Sequence, residues 1–438
     1  MISSLGEGTS LKPLEIVKHV LGNGLRVAIN PYIESPVVSV AVYYDVGSRN
    51  ERFGRTGFAH LFEHMMFQGS ANVGKAEHFQ FIMKAGGTMN GTTSSERTNY
   101  YETLPADQLP LALWLEADRM KSLAVNQENL DNQREAVKEE KRLRYDNQPY
   151  GQVFDMITSM VYTNFANAHS TIGSMDDLDA ATVGDLQDFF KLYYAPSNAV
   201  LAISGAVDPV TCIELVEKYF GEIPSGENPP VLDVSEGVGV SERHRDYFDQ
   251  LAPLPAFLRG WKIPDRTTRD HKAAMLGGRI LFDGDSSRLY QKLVKGDESV
   301  VQLFGFTDER RGPSAIYMGA IPKPGFTTDS ISAVMDAEIA DLAINGPSDS
   351  EMEKLRNQIL NDSVRMRQSS LARAQQMAES WLYDGDPRSY ESEINELLSI
   401  DGNEIKLAIS KFIKDGESAL LNVVPSAPSV GEVTTNVQ

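Results

Sequence analysis

A chain of 438 residues with a formal net charge of −20 is too long for one ordinary hydrophobic core, and it lacks the clustered Lys and Arg that nucleic-acid phosphates require. Its composition, 41% hydrophobic and 23% charged, is that of a globular protein, with no apolar run long enough to span a membrane, so neither nucleic acid nor membrane is an expected partner. Cys212 is the only cysteine, which excludes a disulfide within the chain and makes the cytoplasm the simplest expected compartment, with a periplasmic protein free of disulfides as the alternative.

In chain order, Met1 to Lys18 carries Glu7 and Glu15 and has neither the basic start nor the apolar core of a secretory signal. Val37 to Val46 reads as a strand. The run from Phe58 to Phe67 follows Gly57 and precedes Gly69, and its apolar residues lie all round, as in a buried helix. Within it His60 and His64 are four residues apart and project from one helical face, with Glu63 on the same side. Three ionisable groups on one buried face are expensive without a metal. Two imidazoles and a carboxylate in this arrangement suit a zinc ion and the activation of its water. A hydrolytic zinc site keeps three protein ligands and an open fourth position, so one further ligand is required.

Gly86 to Thr93, followed by Thr98 to Tyr101, reads as a strand pair with turn glycines. Gln127 to Asn147 is a strongly charged helical pattern with Leu130, Ala136, Val137 and Leu143 as its apolar positions. Glu135, Glu139 and Glu140 are all available there as the third ligand.

The inverted motif His60-Leu61-Phe62-Glu63-His64, together with Arg134 to Glu140, resembles the pitrilysin and mitochondrial-processing-peptidase family of zinc peptidases. In that family the third ligand is a helical glutamate about 75 residues downstream of the motif. The resemblance therefore implies Glu140, 76 residues after His64, and leaves Glu135 and Glu139 on a solvated face. Family members often carry a supporting glutamate seven positions before the ligand, and this chain has Gln133 there, so that support is altered or lost. The resemblance further implies that Gly87, Thr88, Met89, Asn90, Gly91 and Thr92 form a glycine-led strand beside the zinc. An extended peptide substrate would add itself to that edge, read mainly through its backbone. Asn147 to Gly151, Ile172 to Ser174 and Tyr193 to Ala199 are further landmarks of the same kind. The implied chemistry is zinc endopeptidase chemistry: Zn2+ on His60, His64 and Glu140, with Glu63 as general base on the bound water.

Proline, glycine and acidic residues concentrate at Ile223 to Gly239, which reads as a linker between a zinc-bearing domain (1–222) and a second domain (240–438). Both parts follow one plan. Val37 to Val46 and Ala256 to Ile263 open them as strands, Met65 to Gly69 and Ile280 to Gly284 end similar helices, and Asn198 to Ser204 and Ala419 to Val424 close them as strands after a helix. At the offset of 215 that lays Gly69 on Gly284, His60 falls on Met275, Glu63 on Gly278 and His64 on Arg279, so the second copy has no metal residues. The fold class implied by the resemblance is α+β: two homologous α/β halves, each a mostly antiparallel sheet packed with helices, forming half of a clam-shell chamber.

One departure bears on function. After a Ser-Arg-Leu-aromatic motif, matched here by Ser287 to Tyr290, family members that act alone or as homodimers usually carry an arginine and, seven residues later, a tyrosine. Those positions fall on Val294 and Val301, which donate no hydrogen bond. Arg288 and Tyr290 belong to the motif itself and read as structural. The chain is therefore expected to be the zinc-bearing subunit of a heterodimer, completed by a related partner without the zinc motif. The competing readings are a non-catalytic structural subunit and a peptide-binding module. Elsewhere, His78, His169, His244 and His271 read as loop or surface residues and His19 as half-exposed. Trp114, Trp261 and Trp381 read as packing, and Glu391, Glu393 and Glu396 as a solvated helix face.

Overall fold

The computed structural model describes residues 12–237 and 239–426. Residues 1–11 of the segment Met1 to Lys18 lie outside the described residues, as does position 238 in the expected linker. Among the described residues, eleven strands form two sheets. In chain order they are β1 (Val17–Val20), β2 (Arg26–Pro31), β3 (Val37–Tyr44), β4 (Thr88–Thr93), β5 (Thr98–Pro105), β6 (Ala199–Gly205), β7 (His244–Asp249), β8 (Ala256–Asp265), β9 (Val300–Asp308), β10 (Pro313–Pro322) and β11 (Ser418–Pro425). The first sheet runs β1-β2-β6-β3-β5-β4 and the second β7-β11-β8-β10-β9. Apart from the parallel pairs β2 with β6 and β7 with β11, neighbours are antiparallel. The second sheet thus repeats the order of the first without its outermost strand. This is the α+β fold of two like halves, each a mostly antiparallel sheet packed with helices.

Alternation along β3 explains how each sheet is covered. Val38, Val40, Val42 and Tyr44 point into a core shared with the helices Phe58–Met65, Leu109–Ser122 and Pro209–Phe220. Ala41 and Tyr43 point the other way, with Ala28, Val200 and Ala202, onto Ala374, Met377, Ala378 and Trp381 of the helix Ser370–Asp384. That helix comes from the second half of the chain. The reciprocal contact exists too: Val153, Ile157, Met160 and Val161 of the helix Val153–Val161 pack on Ala256, Leu258, Ala419 and Leu421 of the second sheet. Each sheet is therefore held between its own helices and one helix lent by the other half. The two cores are joined by exchange, which a sequence boundary alone does not reveal.

The segment 224–237 contains neither helix nor strand, and Val231 is fully exposed. It is nonetheless fastened: the buried Glu236 carboxylate accepts from Thr163 N and Oγ1, Asn164 N, Asn167 Nδ2 and Lys262 Nζ. Trp261 and Trp381 are buried and Trp114 is half-buried against Phe81, in keeping with packing roles. The acidic trio is less solvated than its sequence suggests. Glu391 accepts from Leu14 N and pairs with Arg367, Glu396 pairs with Lys272, and Glu393 is half-buried. Among the described residues no helix is long and apolar enough to cross a membrane.

Candidate metal and peptide site

The helix Phe58–Met65 buries Phe58, Ala59, Leu61, Phe62 and Met65 against the first sheet and the aromatic rings of Phe189, Phe190 and Tyr194. What remains for its open face is His60, Glu63 and His64. The two imidazoles lie with ring centroids 4.8 Å apart, as the four-residue helical spacing requires.

The helix Gln127–Lys141 crosses this face. Asn126 caps it by accepting from Asn129 N, and its inward positions are Leu130, Gln133 and Val137. Glu140 follows at the next helical step and points the same way. Its side chain is 19% exposed, against 65% for Glu135 and 56% for Glu139, which pair with Lys138 and Arg142 on the outer face. Burial thus separates the three candidates. Glu140 Oε2 lies 3.3 Å from His64 Nε2 and 3.8 Å from His60 Nε2, and one donor atom from each of the three side chains falls within 4.8 Å of the others.

The protonation states suit a cation. Burial, and then the neighbouring His64, pushes His60 down to about 4, so it is a neutral imidazole at neutral pH. A hydrogen bond with His64 holds the Glu140 carboxyl below its usual range, so it is ionised. His60 Nδ1 is buried without a partner. Gln133 is buried in the supporting position, but its amide donates to Asn132 Oδ1 and makes no bond to either histidine. Two imidazoles and a carboxylate converging from two helices fit a divalent zinc-type ion. Arg144, largely exposed, also reaches Glu140, 2.7 Å from Oε1.

Glu63 stands beside this cluster. Its Oε2 accepts from Thr93 Oγ1 at 2.6 Å, and burial raises its carboxyl above the usual range, the Thr93 bond opposing this. Thr93 ends β4, the outer edge strand of the first sheet, whose inner side pairs with β5 from Thr88↔Thr103 to Thr93↔Thr98. Its other side is the sheet's free edge, beginning after Gly87 and formed by Thr88, Met89, Asn90, Gly91 and Thr92. Two glycines let the strand lie there. A Cβ on Gly87 would meet Thr103 O at 2.7 Å, and one on Gly91 would stand 3.1 Å from the Tyr100 ring and 3.3 Å from Glu63 Cγ. Gly91 therefore brings the free edge close to the carboxylate. Thr93 was not legible as a contact of Glu63, because it lies 30 residues away in sequence.

Three histidines expected at the surface or in loops are buried or nearly so, and two of them have a hydrogen-bond partner at both ring nitrogens. His271 is fully buried between Pro264 O and Glu309, and His169 joins Phe165 O to Glu51. His78 lies in the core beside Glu102 and Glu116, a second set of donors within 4.8 Å of one another. Here Arg119, buried and over the Tyr100 ring, already pairs with both oxygens of Glu116. Burial and then Glu116 push the Glu102 carboxyl far up, so a proton on Glu102 leaves the cluster neutral. A dication would leave net positive charge in the core. Arg119 thus already provides the positive partner of Glu116, and the cation-fitting cluster is the one on the open helix face. His244 is exposed, as expected. Val294 packs against the second core and Val301 is 58% exposed on β9, and Arg288 is bound to Glu351, Asp341 and Gly346 O, a structural clamp.

Two like-ordered sheets and a His/His/Glu cluster beside a buried carboxylate define a two-half α+β protein of metallopeptidase type. The chain belongs to the M16 peptidase family: residues 26–174 match the family described as insulinase (peptidase family M16), and residues 180–359 match the peptidase M16 inactive domain. It is 26% identical over 412 residues to the zinc protease PqqE of Helicobacter pylori, covering 92% of both chains. It is 24% identical over 414 residues to the probable mitochondrial-processing peptidase subunit beta of Arabidopsis thaliana, covering 92% of this chain and 77% of that one. Among solved structures, a protease from Helicobacter pylori superposes with a TM-score of 0.90 at 25% identity, over 94% of this chain and all of the other.

Proposed function

We propose that this chain is the zinc-bearing subunit of an endopeptidase that cleaves extended, unfolded peptides. The observation that carries the reading is the convergence of His60, His64 and Glu140 beside Glu63 and an open strand edge. Zinc, held by those three residues, would supply Lewis-acid chemistry, acidifying water and polarising a peptide carbonyl. The chain's own groups do the rest. The free edge of β4, from Gly87 through Thr88, Met89, Asn90, Gly91 and Thr92, receives the peptide as an added strand and lays its backbone beside Glu63. Glu63, its carboxyl raised by burial, takes a proton from the attacking water and returns it to the leaving amine. Thr93 fixes which carboxylate oxygen faces the reacting atoms.

No donor stands at Val294 or Val301, and the relative from Arabidopsis thaliana is named as a subunit. A related partner subunit without the zinc motif is therefore proposed to supply an Arg/Tyr pair across a shared chamber. The single buried cysteine suits the cytoplasm.

Glu63→Gln tests the assignment. The variant should retain one zinc per chain by elemental analysis and lose peptide hydrolysis by at least about a hundredfold. A zinc-loaded variant of full activity removes Glu63 from the role. Binding of peptide without turnover by the zinc-loaded wild-type chain, alone or with a similar-sized partner, would make it a peptide-binding module instead. High activity of the isolated chain, unchanged by any partner, would remove the heterodimer.

A further inference from the structure

The helix Phe58–Met65 begins without a cap of its own. Its first flanking residue is Gly57, at φ 84°, which has no side chain to receive the orphaned N–H groups of the first turn. Glu51, six residues earlier, receives them: Oε2 accepts from Gly57 N at 2.9 Å and Oε1 from Ala59 N at 2.7 Å. The Glu51 side chain is wholly buried. Its other partner is His169 Nε2, 3.0 Å from Oε2, whose ring stacks on Phe165 at 4.4 Å between centroids.

His169 Nδ1 faces Phe165 O at 2.7 Å. Both ring nitrogens thus point at acceptors, a carbonyl on one side and a carboxylate on the other. A neutral imidazole carries one N–H, so this geometry holds one proton more than a carboxylate with a neutral imidazole would. The extra charge-assisted bond ties three segments together: the turn holding Glu51, the first turn of the metal helix, and the end of the helix Phe165–Ala168. The junction is tight on both sides. A Cβ on Gly173 would fall 2.5 Å from Gly57, while Thr56 donates from N and Oγ1 to Asp177. Ala59, held by Glu51, directly precedes His60, and the third ligand Glu140 arrives on a separate helix. A small displacement of the first turn therefore moves His60 relative to Glu140.

We propose that Glu51 and His169 form a positioning pair that sets the metal-binding helix and thereby determines how tightly the chain holds zinc, an inference that rests on the zinc reading above. Outer partners of metal ligands typically change metal affinity by about 10–100-fold when removed.

The experiment is a chelator-competition titration of zinc on the full chain, comparing wild type with His169→Phe, His169→Gln and Glu51→Gln. His169→Phe keeps the stacking on Phe165 and removes both nitrogens. It should weaken zinc binding by about tenfold, and His169→Gln, whose amide still donates to Glu51, should recover most of that loss. Glu51→Gln should weaken zinc in the same direction. A residue that merely packs would lower the melting temperature and leave zinc affinity alone. Zinc affinities of His169→Phe and Glu51→Gln within about twofold of wild type would overturn the proposal. Should Glu51→Gln not fold, the two His169 variants decide it. A wild-type chain that binds no zinc overturns the zinc reading itself, and this inference with it.

Discussion

The two halves use the same strand order and a helix in the same place, yet only one presents chemistry. In the first, the helix Phe58–Met65 offers His60, Glu63 and His64, and Gly91 of the edge strand approaches Glu63. In the second, the helix Arg269–Phe282 offers Met275, Gly278 and Arg279 at the matching positions. The space beside edge strand β9 is filled there by an aromatic ring: a Cβ on Gly305 would stand 2.4 Å from the Phe282 ring, and one on Gly278 would stand 3.0 Å from it. A glycine in the edge strand serves a carboxylate in one half and a phenyl ring in the other. The scaffold is thus indifferent to the chemistry, which a handful of side chains on one helix face confer or withhold.

The largest contrast between the halves should appear in metal content. His64→Ala removes one of the three proposed ligands and should abolish both bound zinc and peptide hydrolysis, read by elemental analysis and a peptide assay. Arg279→Ala, at the matching position of the second half, loses only a partly exposed pairing with Asp362. It should leave zinc content and activity unchanged and shift stability by no more than about 0.5 kcal/mol. Zinc lost from the Arg279 variant would show that the halves share the metal site.

The exchanged helices limit how independent the halves can be. Ile157, from the first half of the chain, is fully buried on the second sheet, and Met377, from the second, is fully buried on the first. Either one replaced by alanine should cost about 2–5 kcal/mol. Because each side chain bridges the halves, scanning calorimetry should show a single transition moved down as a whole. A variant in which one half melts early while the other keeps its transition would show that the exchange does not couple them.

Much of the site was legible because its spacing is local. His60, Glu63 and His64 need only a helix to share a face, whereas periodicity left Glu135, Glu139 and Glu140 open, and the resemblance chose Glu140, which burial sets apart from the other two. The repeat was legible too, since both halves carry a turn glycine at positive φ, Gly69 and Gly284, after the corresponding helix. Contacts between segments distant in sequence were not legible. Thr93 reaches Glu63 through strand pairing, and His169 reaches Glu51 from the end of another helix, 118 residues away in sequence. His78, His169 and His271 read as peripheral for the same reason: a histidine looks out of place in a core until its partners are known. Nor does alternation along β3 say which helix covers each face, so the exchange of helices stayed hidden.

Arg288 offers the smallest and most specific test of the difference, because it occupies a motif from which substrate contact could have been inferred. Its guanidinium donates to both oxygens of Glu351, at 2.7 and 3.0 Å, with Asp341 as a second, more exposed partner and Lys354 also near the carboxyl. Burial alone would raise the Glu351 carboxyl, but the Arg288 bonds and the capping contacts with Ser348 outweigh it and hold the group at about 2. A carboxyl depressed on folding stabilises the protein fully above its unfolded value of about 4.5 and loses that contribution as pH falls toward 2. Solvent contact at the pair, where Glu351 is 21% exposed, reduces the effect to about 1 kcal/mol. Glu351→Gln preserves the capping box with Ser348 while removing the charge, so stability measured by denaturant should fall less steeply between about pH 5 and 2 than in wild type, with zinc content unchanged. A loss of peptide turnover at neutral pH in that variant, with stability intact, would move Arg288 from the clamp to the substrate side of the molecule and make the second half a participant in the chemistry.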